Sequence, residues 1–380
     1  MSGVLAVFRG EFRRIFALKP VFATLVLAVA IYAVFYPQPY LNEALRDVPI
    51  AVVDADNTLS SREMARRIDA TPDIAVALVL PDLPSAEREV QARSIHGILV
   101  IPREFERDLL HGRSAPVALY ADAGYFLMYQ RLSGGVTAVA RTFGAEVEAT
   151  RLVALGVDPA LALAAGDPMP LTAVALFNPQ GGYATYVLPA ALVLILQQTL
   201  LIGVGLLGTL PGARVAEASP VATVLGKLLA YLTLETAAVL LYLVVLPFSY
   251  GIPRLGPLWA ILFVALPFVL AVAGLGLVVA AVFHRPLVVQ LVFAAVGLPF
   301  FFLAGFAWPT ESIPGAVHWI AQLVPSTTAI DALVRVSQLG APLPLVRDQI
   351  LVLWGLVAFY GTLAVLLEAR RAERPILASP

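Results

Sequence analysis

Four groups of residues have types and spacings that can do chemistry. In Val52-Val53-Asp54-Ala55-Asp56-Asn57-Thr58 an apolar strand leads into Asp-x-Asp-x-Thr. A phosphatase places its aspartyl nucleophile and its acid–base carboxylate in this way. That chemistry also needs a fixed cation on the phosphoryl group, and the surrounding 143 residues, 38–180, contain no lysine. A strand end followed by an Asx-type turn explains the same residues and is the preferred reading. Gly226-Lys227 lacks the first glycine of a phosphate-binding loop and has Leu228 where that loop needs a hydroxyl. His96, His111, His284 and His318 are far apart in sequence and form no i, i+3 or i, i+4 pair with one another. They therefore do not read as a metal-ligand set. Glu235 and Gln197-Gln198 lie inside long apolar runs. An ionisable group at membrane depth is a functional candidate. The same residues also serve as hydrogen-bonding contacts between helices, and both readings of Glu235 remain open.

The elements that must position these groups are membrane helices. Tyr183–Gly208, Val221–Phe248, Leu258–Phe283 and Leu287–Ala307 follow one another with short breaks, and Val21–Tyr36 and Ile350–Leu367 flank them. A bilayer core needs about 20 apolar residues per helix. The chain has 380 residues, 59% of them hydrophobic, and a mean hydropathy of +0.85. Only 13% are charged, about half the share in soluble domains. The net charge of −1 offers no basic surface for nucleic acid, and the absence of cysteine excludes disulfides, thiolate catalysis and zinc–thiolate sites. The expected fold is a polytopic α-helical membrane protein of six transmembrane helices with an inserted extracytoplasmic α/β domain.

In chain order, residues 1–19 form an amphipathic helix with Val4, Phe8, Phe12 and Phe16 on one face and Arg9, Arg13 and Arg14 off it. Such a helix lies in the membrane interface, as a simple anchor or as a contact for a partner. Residues 20–37 are the first span, a retained signal anchor rather than a cleaved leader. Residues 38–180 alternate short strands (Val48–Val53, Ile74–Leu80, Gly97–Ile101, Val117–Tyr120) with helices (Ser60–Ala70, Ser85–Arg93, Arg103–His111). Ser60 or Ser61 is the expected cap of the first of these helices. A long return helix follows over Tyr125–Leu155, with Gly134-Gly135 as its candidate break. Spans two to six occupy 181–367, with a re-entrant segment at 308–349 on the outer side, and 368–380 is the tail. Counted over short segments, Arg and Lys concentrate at residues 1–19, Arg214, Lys227, Arg285, Arg370, Arg371 and Arg374. Only Arg254, Arg335 and Arg347 fall on the opposite side. The positive-inside rule then places both termini in the cytoplasm and residues 38–180 outside.

Taken together, several pieces resemble permease subunits of the ABC type-2 export family, in the branch with a large extracytoplasmic domain after the first span. They are the basic amphipathic start, Pro49-Ile50-Ala51-Val52-Val53-Asp54-x-Asp56-Asn57, Asn178-Pro179, and Gln197-Gln198-Thr199-Leu200-Leu201. Ser219-Pro220, Gly226-Lys227, Gly305-Phe306-x-Trp308-Pro309, Ile313-Pro314, Trp319, and Leu323-x-Pro325-Ser326-Thr327 through Arg335 to Gly340 complete the set. The resemblance covers nearly the whole chain. It implies an exporter half in a bacterial inner membrane, with no cofactor in this chain and ATP bound by a separate cytoplasmic ATPase. It also implies a second permease copy or a paralogue, and often a periplasmic adaptor and an outer-membrane channel. The ATPases would push on the N-terminal helix, at Arg13 and Arg14, and on the Thr209–Pro220 loop, at Arg214 and Glu217. Glu235, Gln197 and Gln198 would belong to the intramembrane pathway or to its packing. The cargo expected is an amphiphilic drug, lipid or polymer. The loop departs from the family pattern, with Pro211-Gly212-Ala213-Arg214-Val215-Ala216-Glu217 in place of a longer acidic, glycine-bearing stretch. The rival reading is an envelope sensor or adhesion protein held by a membrane anchor, for which one span would be enough.

Overall fold

The computed structural model describes residues 2–41, 45–178, 181–211, 218–306, 308 and 312–373. The chain divides into two compact units, Met1–Glu43 with Ala175–Pro380, and Ala44–Val174. The first begins with α1 (Ser2–Ala17) and continues through α2 (Lys19–Phe22), a π-helical turn (Ala23–Leu27) and α3 (Ala28–Phe35). These last three, with a 3-10 turn at Gln38–Tyr40, form the first candidate span, Lys19–Tyr40.

The second unit carries β1 (Val48–Asp54), α4 (Leu59–Asp69), β2 (Ile74–Val79), α5 (Leu83–Gln91), β3 (Gly97–Ile101), α6 (Phe105–Leu110), β4 (Ala118–Ala121), α7 (Phe126–Ala154) and α8 (Pro159–Gly166). The sheet order is β2-β1-β3-β4; β1 pairs in parallel with β2 and β3, and β4 closes antiparallel on β3. β1 is central and apolar on both faces, as a strand covered on both sides must be. Ile50 and Val52 pack with Met64, Ile68, Leu132 and Val136 of α4 and α7. Ala51 and Val53 pack on the other face with Ala86 of α5. α7 runs unbroken through Gly134-Gly135. A Cβ on Gly135 would come within 2.9 Å of Ile74 Cδ1, so that glycine permits close packing rather than a break.

The Asp54–Ser61 segment is a turn held by its own carboxylates. Asp54 Oδ1 accepts the amides of Asp56 (3.0 Å) and Asn57 (2.9 Å), and Asp54 Oδ2 accepts the Ser61 hydroxyl at 2.7 Å. Thr58, not Ser60 or Ser61, caps α4, and Ser61 completes the capping box from the third helical position. Asp56 Oδ2 accepts the Glu106 amide at 2.9 Å and the Thr58 hydroxyl at 2.8 Å, tying α6 to the turn. Desolvation pushes the Asp56 carboxyl up, but the Glu106 amide, the Thr58 hydroxyl and the Glu104 and Phe105 amides outweigh it, and the net direction is down. A carboxylate whose pKa is lower folded than unfolded stabilises the fold above its unfolded pKa, near 4. That contribution is lost as pH falls through the lower folded value. The α6 end should therefore loosen in acid, seen as a lower protection factor at the Glu106 amide, that is, exchange relative to the intrinsic rate at the same pH. Asp56→Asn should make that protection independent of pH over the same range.

The chain then returns to the first unit through α9 (Tyr183–Thr209), α10 (Pro220–Leu240), a π-helical turn (Leu241–Val245), α11 (Leu246–Ser249), α12 (Leu258–Phe283) and α13 (Pro286–Leu303). It ends with α14 (Gly315–Ala321), α15 (Pro325–Ser337) and α16 (Arg347–Glu373). Among the described residues six helices are long and apolar enough to cross a membrane, so this is a polytopic helical membrane protein. The last span begins at Leu343 rather than Ile350, and α16 continues to Glu373, so Arg370 and Arg371 extend a helix. α9 and α12 are buried along most of their length, whereas the first, fifth and sixth spans leave most side chains at least partly exposed. Leu255 and Gly256 fix the turn before α12 by donating their amides to Ser337 O at 2.8 and 3.1 Å. A Cβ on Gly256 would lie 1.9 Å from the Val336 carbonyl, so only glycine fits.

Candidate functional site

A cluster of polar contacts in the membrane unit lies where α1, the end of α9 and the N-terminal half of α10 meet. α1 buries Val7, Glu11 and Ile15, spaced i, i+4, i+8. The phenylalanines expected to face the membrane interface lie beside this buried face as a ladder, with Phe8–Phe12 centroids at 5.8 Å and Phe12–Phe16 at 5.3 Å; Phe16 is exposed. α1 approaches α10 closely because position 226 is glycine. A Cβ there would stand 2.7 Å from Val7 Cβ and 2.8 Å from the Val4 carbonyl.

On that buried face Glu11, 4% exposed, joins three elements. Its Oε1 accepts the hydroxyl of fully buried Tyr231 of α10 at 2.7 Å. Its Oε2 accepts Arg14 Nη1 at 2.9 Å. Arg14 Nη2 then donates to the carbonyls of Leu207 (3.2 Å), Leu210 (3.0 Å) and Pro211 (3.4 Å). The last carbonyls of a helix have no partner within it and carry its negative dipole end, so a guanidinium fork suits them in number and sign. α1 therefore holds both helices that border residues 212–217. A second arginine acts similarly: Arg371 of α16 donates to Ala280 O in the last turn of α12, at 2.7 Å.

Of the coupling residues read from the sequence, Arg13 is exposed and Arg14 is drawn into this cluster; Arg214 and Glu217 lie outside the described residues. Glu11 and Tyr231 were not singled out. The available signal was a lone acid between Val7 and Ile15 on an otherwise apolar face.

Deeper in the unit, Gln197 and Gln198 of α9 turn to different neighbours. Gln197 Oε1 accepts the Ser326 amide in the first turn of α15 at 2.8 Å, and Gln198 Nε2 donates to Phe293 O of α13 at 2.6 Å. Both contacts join helices. Glu235 is 1% exposed, and among the described residues neither of its oxygens has a hydrogen-bond partner. It lies on one face of α10 with Tyr231 and the π-turn's Tyr242, whose hydroxyl donates to Val29 O of the first span at 2.7 Å. Pro189 within α9 has no amide to offer the Thr185 carbonyl, and Gln338 Nε2 donates to that oxygen instead, at 2.8 Å. An interhelical bond in a membrane protein contributes about 0.6 kcal/mol on average and about 1.7 at most. Gln338→Leu should therefore lower stability in detergent by about 1 kcal/mol, measured as a shift in the unfolding midpoint.

At the other end of the unit a cavity of about 630 Å³ opens between α9, α14, α15 and the Leu303–Phe306 turn. Tyr186, Leu303, Phe306, Ile313 and Val334 supply its apolar wall, and Gln322, Thr327, Thr328, Asp331 and Arg335 its polar one. The polar groups are already engaged: Thr328 donates to Gln322 at 3.0 Å, and Asp331 accepts Arg335 at 2.7 Å and Gln349 at 2.8 Å. Among the described residues no group of three or more His, Cys, Asp or Glu is placed to hold a metal. The arrangement suits transmission of a push between helices and accommodation of a mixed polar–apolar molecule.

Residues 19–366 match a family model described as "ABC-2 family transporter protein". The curated protein "Probable multidrug ABC transporter permease YbhS" of Escherichia coli (strain K12) is 25% identical over 194 residues, covering 49% of this chain and 52% of that protein. Its counterpart in Escherichia coli O157:H7 matches with the same identity and coverage. The chain spans about half the length of the curated relatives it matches.

Proposed function

Because the chain belongs to the ABC-2 family of transporter proteins, we propose that it is the permease subunit of an ATP-driven exporter, worked by a separate cytoplasmic ATPase. The observation that carries this reading is the Glu11–Arg14–Tyr231 cluster. It joins α1 to both helices bordering residues 212–217, so a force on either α1 or that loop reaches two spans together. Arg13, Arg214 and Glu217 are the proposed ATPase contacts, and Arg14 is their link to the helix ends. A second permease chain completes the pathway, with an adaptor and an outer-membrane channel where export continues across an envelope.

The cargo is an amphiphile. The word "multidrug" in the relative's name and the mixed lining of the 630 Å³ cavity support this. Inside-out membrane vesicles from cells overproducing the chain and its ATPase should accumulate a lipophilic fluorescent dye when ATP is added. Vesicles that respond to a proton gradient but not to ATP would contradict the reading. Both termini are assigned to the cytoplasmic side of a bacterial inner membrane, with residues 38–180 outside, on the charge distribution of the short segments. The chain has no cysteine, so an impermeant thiol reagent should label Glu87→Cys but not Arg9→Cys in intact spheroplasts. The opposite pattern would invert the orientation.

A further inference from the structure

α14 and α15 have 7 and 13 residues, too few to cross a bilayer. They form a re-entrant pair whose joint lies at mid-depth. Tyr360, midway along α16, donates its hydroxyl to Leu323 O at 2.7 Å. Gln197, near the middle of α9, accepts the Ser326 amide at 2.8 Å. From that joint α15 runs to the start of α9, where Gln338 meets Thr185. Its N-terminus, the positive end of its dipole, therefore stops in the middle of the membrane unit.

The backbone donors of that first turn are spent. Pro325 has no amide, the Ser326 amide goes to Gln197, and the Thr327 amide goes to Val324 O at 3.1 Å. Two side-chain donors are not spent. Among the described residues Gln197 Nε2 and Ser326 Oγ have no hydrogen-bond partner, although the two residues are 1% and 0% exposed. Both flank a single bond, because the Ser326 amide that Gln197 accepts fixes which way its carboxamide points. Buried donors in this state are costly, and apolar side chains at both positions would avoid the cost. Polar atoms so placed call for an occupant. It must be an acceptor, since Gln197 Nε2 can only donate. At a helix N-terminus, away from water, an anionic oxygen is the strongest acceptor.

The 630 Å³ cavity has room for the rest of such a molecule. Thr327 and Thr328 of the same first turn line it, as does Gln322 just before the joint, so its inner end reaches this turn. Leu303, Phe306, Ile330 and Val334 give it apolar walls. Charge selects the head group. Among the described residues the one carboxylate in the lining is Asp331, and it already accepts Arg335 and Gln349. Glu235 does not line the cavity. No carboxylate is left for a cationic head, whereas two donors are left for an anionic one.

We propose that the cargo is an acidic amphiphile, whose carboxylate or phosphate-type oxygens reach Gln197 Nε2 and the Ser326 hydroxyl at the α15 N-terminus while its tail occupies the cavity. This rests on the exporter reading above and names the head group that reading leaves open.

The test uses the full chain with its ATPase and three probes that share one dansyl-labelled alkyl tail. They end in a carboxylate, a hydroxyl or a trimethylammonium group. In a maltoside detergent the carboxylate probe should bind about ten-fold more tightly than the other two, the factor that one charge-assisted hydrogen bond supplies. Ser326→Ala keeps the amide that Gln197 holds, and Gln197→Glu is isosteric. Each should remove the preference for the carboxylate. Unchanged unfolding midpoints show that both variants are folded, and the selectivity of the wild-type chain needs no variant. A water held between the two side chains would leave the preference unaltered in both variants and overturn the proposal. Displacement of the carboxylate probe by an equal concentration of inorganic phosphate would mark a free-anion site and also overturn it. ATP-driven uptake into inside-out vesicles separates this inference from the exporter reading. Faster uptake of the carboxylate probe supports both. Uptake that favours the ammonium probe, or does not discriminate, overturns the head-group assignment and leaves the exporter standing. Carboxylate-selective binding without uptake of that probe, while the lipophilic dye is still transported, would mark a resident anionic lipid and overturn the cargo assignment. Uptake of neither probes nor dye would overturn both.

Discussion

Arg14→Met is expected to release α1 from the membrane unit and to abolish transport while the chain still inserts. Glu11 is 4% exposed and Arg14 24%, so the substitution strands a nearly buried carboxylate with only the Tyr231 hydroxyl. Breaking a buried ion pair from one side costs about 3–5 kcal/mol, and the partial exposure of Arg14 places this pair near the lower end. Three carbonyls at the end of α9 lose their donor as well. Arg14→Lys should recover only part of the loss, because an ammonium cannot bridge Glu11 and those carbonyls as a planar fork does. The measurements are the unfolding midpoint in detergent and ATP-dependent dye uptake in vesicles. Wild-type values for both would remove the cluster from the mechanism.

Gly226→Val is expected to produce the same defect from the opposite side. A Cβ at 226 would overlap Val7 Cβ and, more seriously, the Val4 carbonyl. The backbone of α1 must then move away. Overpacking of this kind costs about 1–3 kcal/mol, and the Tyr231–Glu11 bond, which depends on the same approach, is lost with it. Because both variants undock one helix, their double mutant should be much less destabilised than the sum of the two. Additive losses would mean that Arg14 and Gly226 act on separate structures.

Much of the fold was legible because its signals are long or local. Runs such as Leu258–Phe283 have no soluble interpretation, and the strand at Val48–Val53 is marked by its apolar residues and by Asp54 at its end. The packing face of α1 was not legible. Its Phe8-Phe12-Phe16 stripe and its Val7-Glu11-Ile15 stripe are both apolar enough to be buried. In a membrane protein apolar character does not tell lipid from protein, since lipid tails are as apolar as leucine side chains. The α4 cap was misassigned for a local reason: Thr58, Ser60 and Ser61 compete within four residues, and Asp54 decides by drawing in Ser61. Gln338 carried no sequence signal. It matters because Pro189, far away in the chain, leaves the Thr185 carbonyl without its helical donor.

The central claim is that this chain does its work through ATP hydrolysed by a partner and delivered at the α1–α9–α10 junction. The direct measurement is vanadate-sensitive ATP hydrolysis by the chain purified from its native membranes in mild detergent, set beside ATP-driven dye uptake by the same preparation in vesicles. A separate ATPase should elute with the wild-type chain and drive uptake. With Arg14→Met, hydrolysis should continue at a comparable rate while uptake falls at least ten-fold. A preparation in which this chain elutes without ATPase activity, or in which Arg14→Met leaves the ratio of uptake to hydrolysis unchanged, would contradict the account.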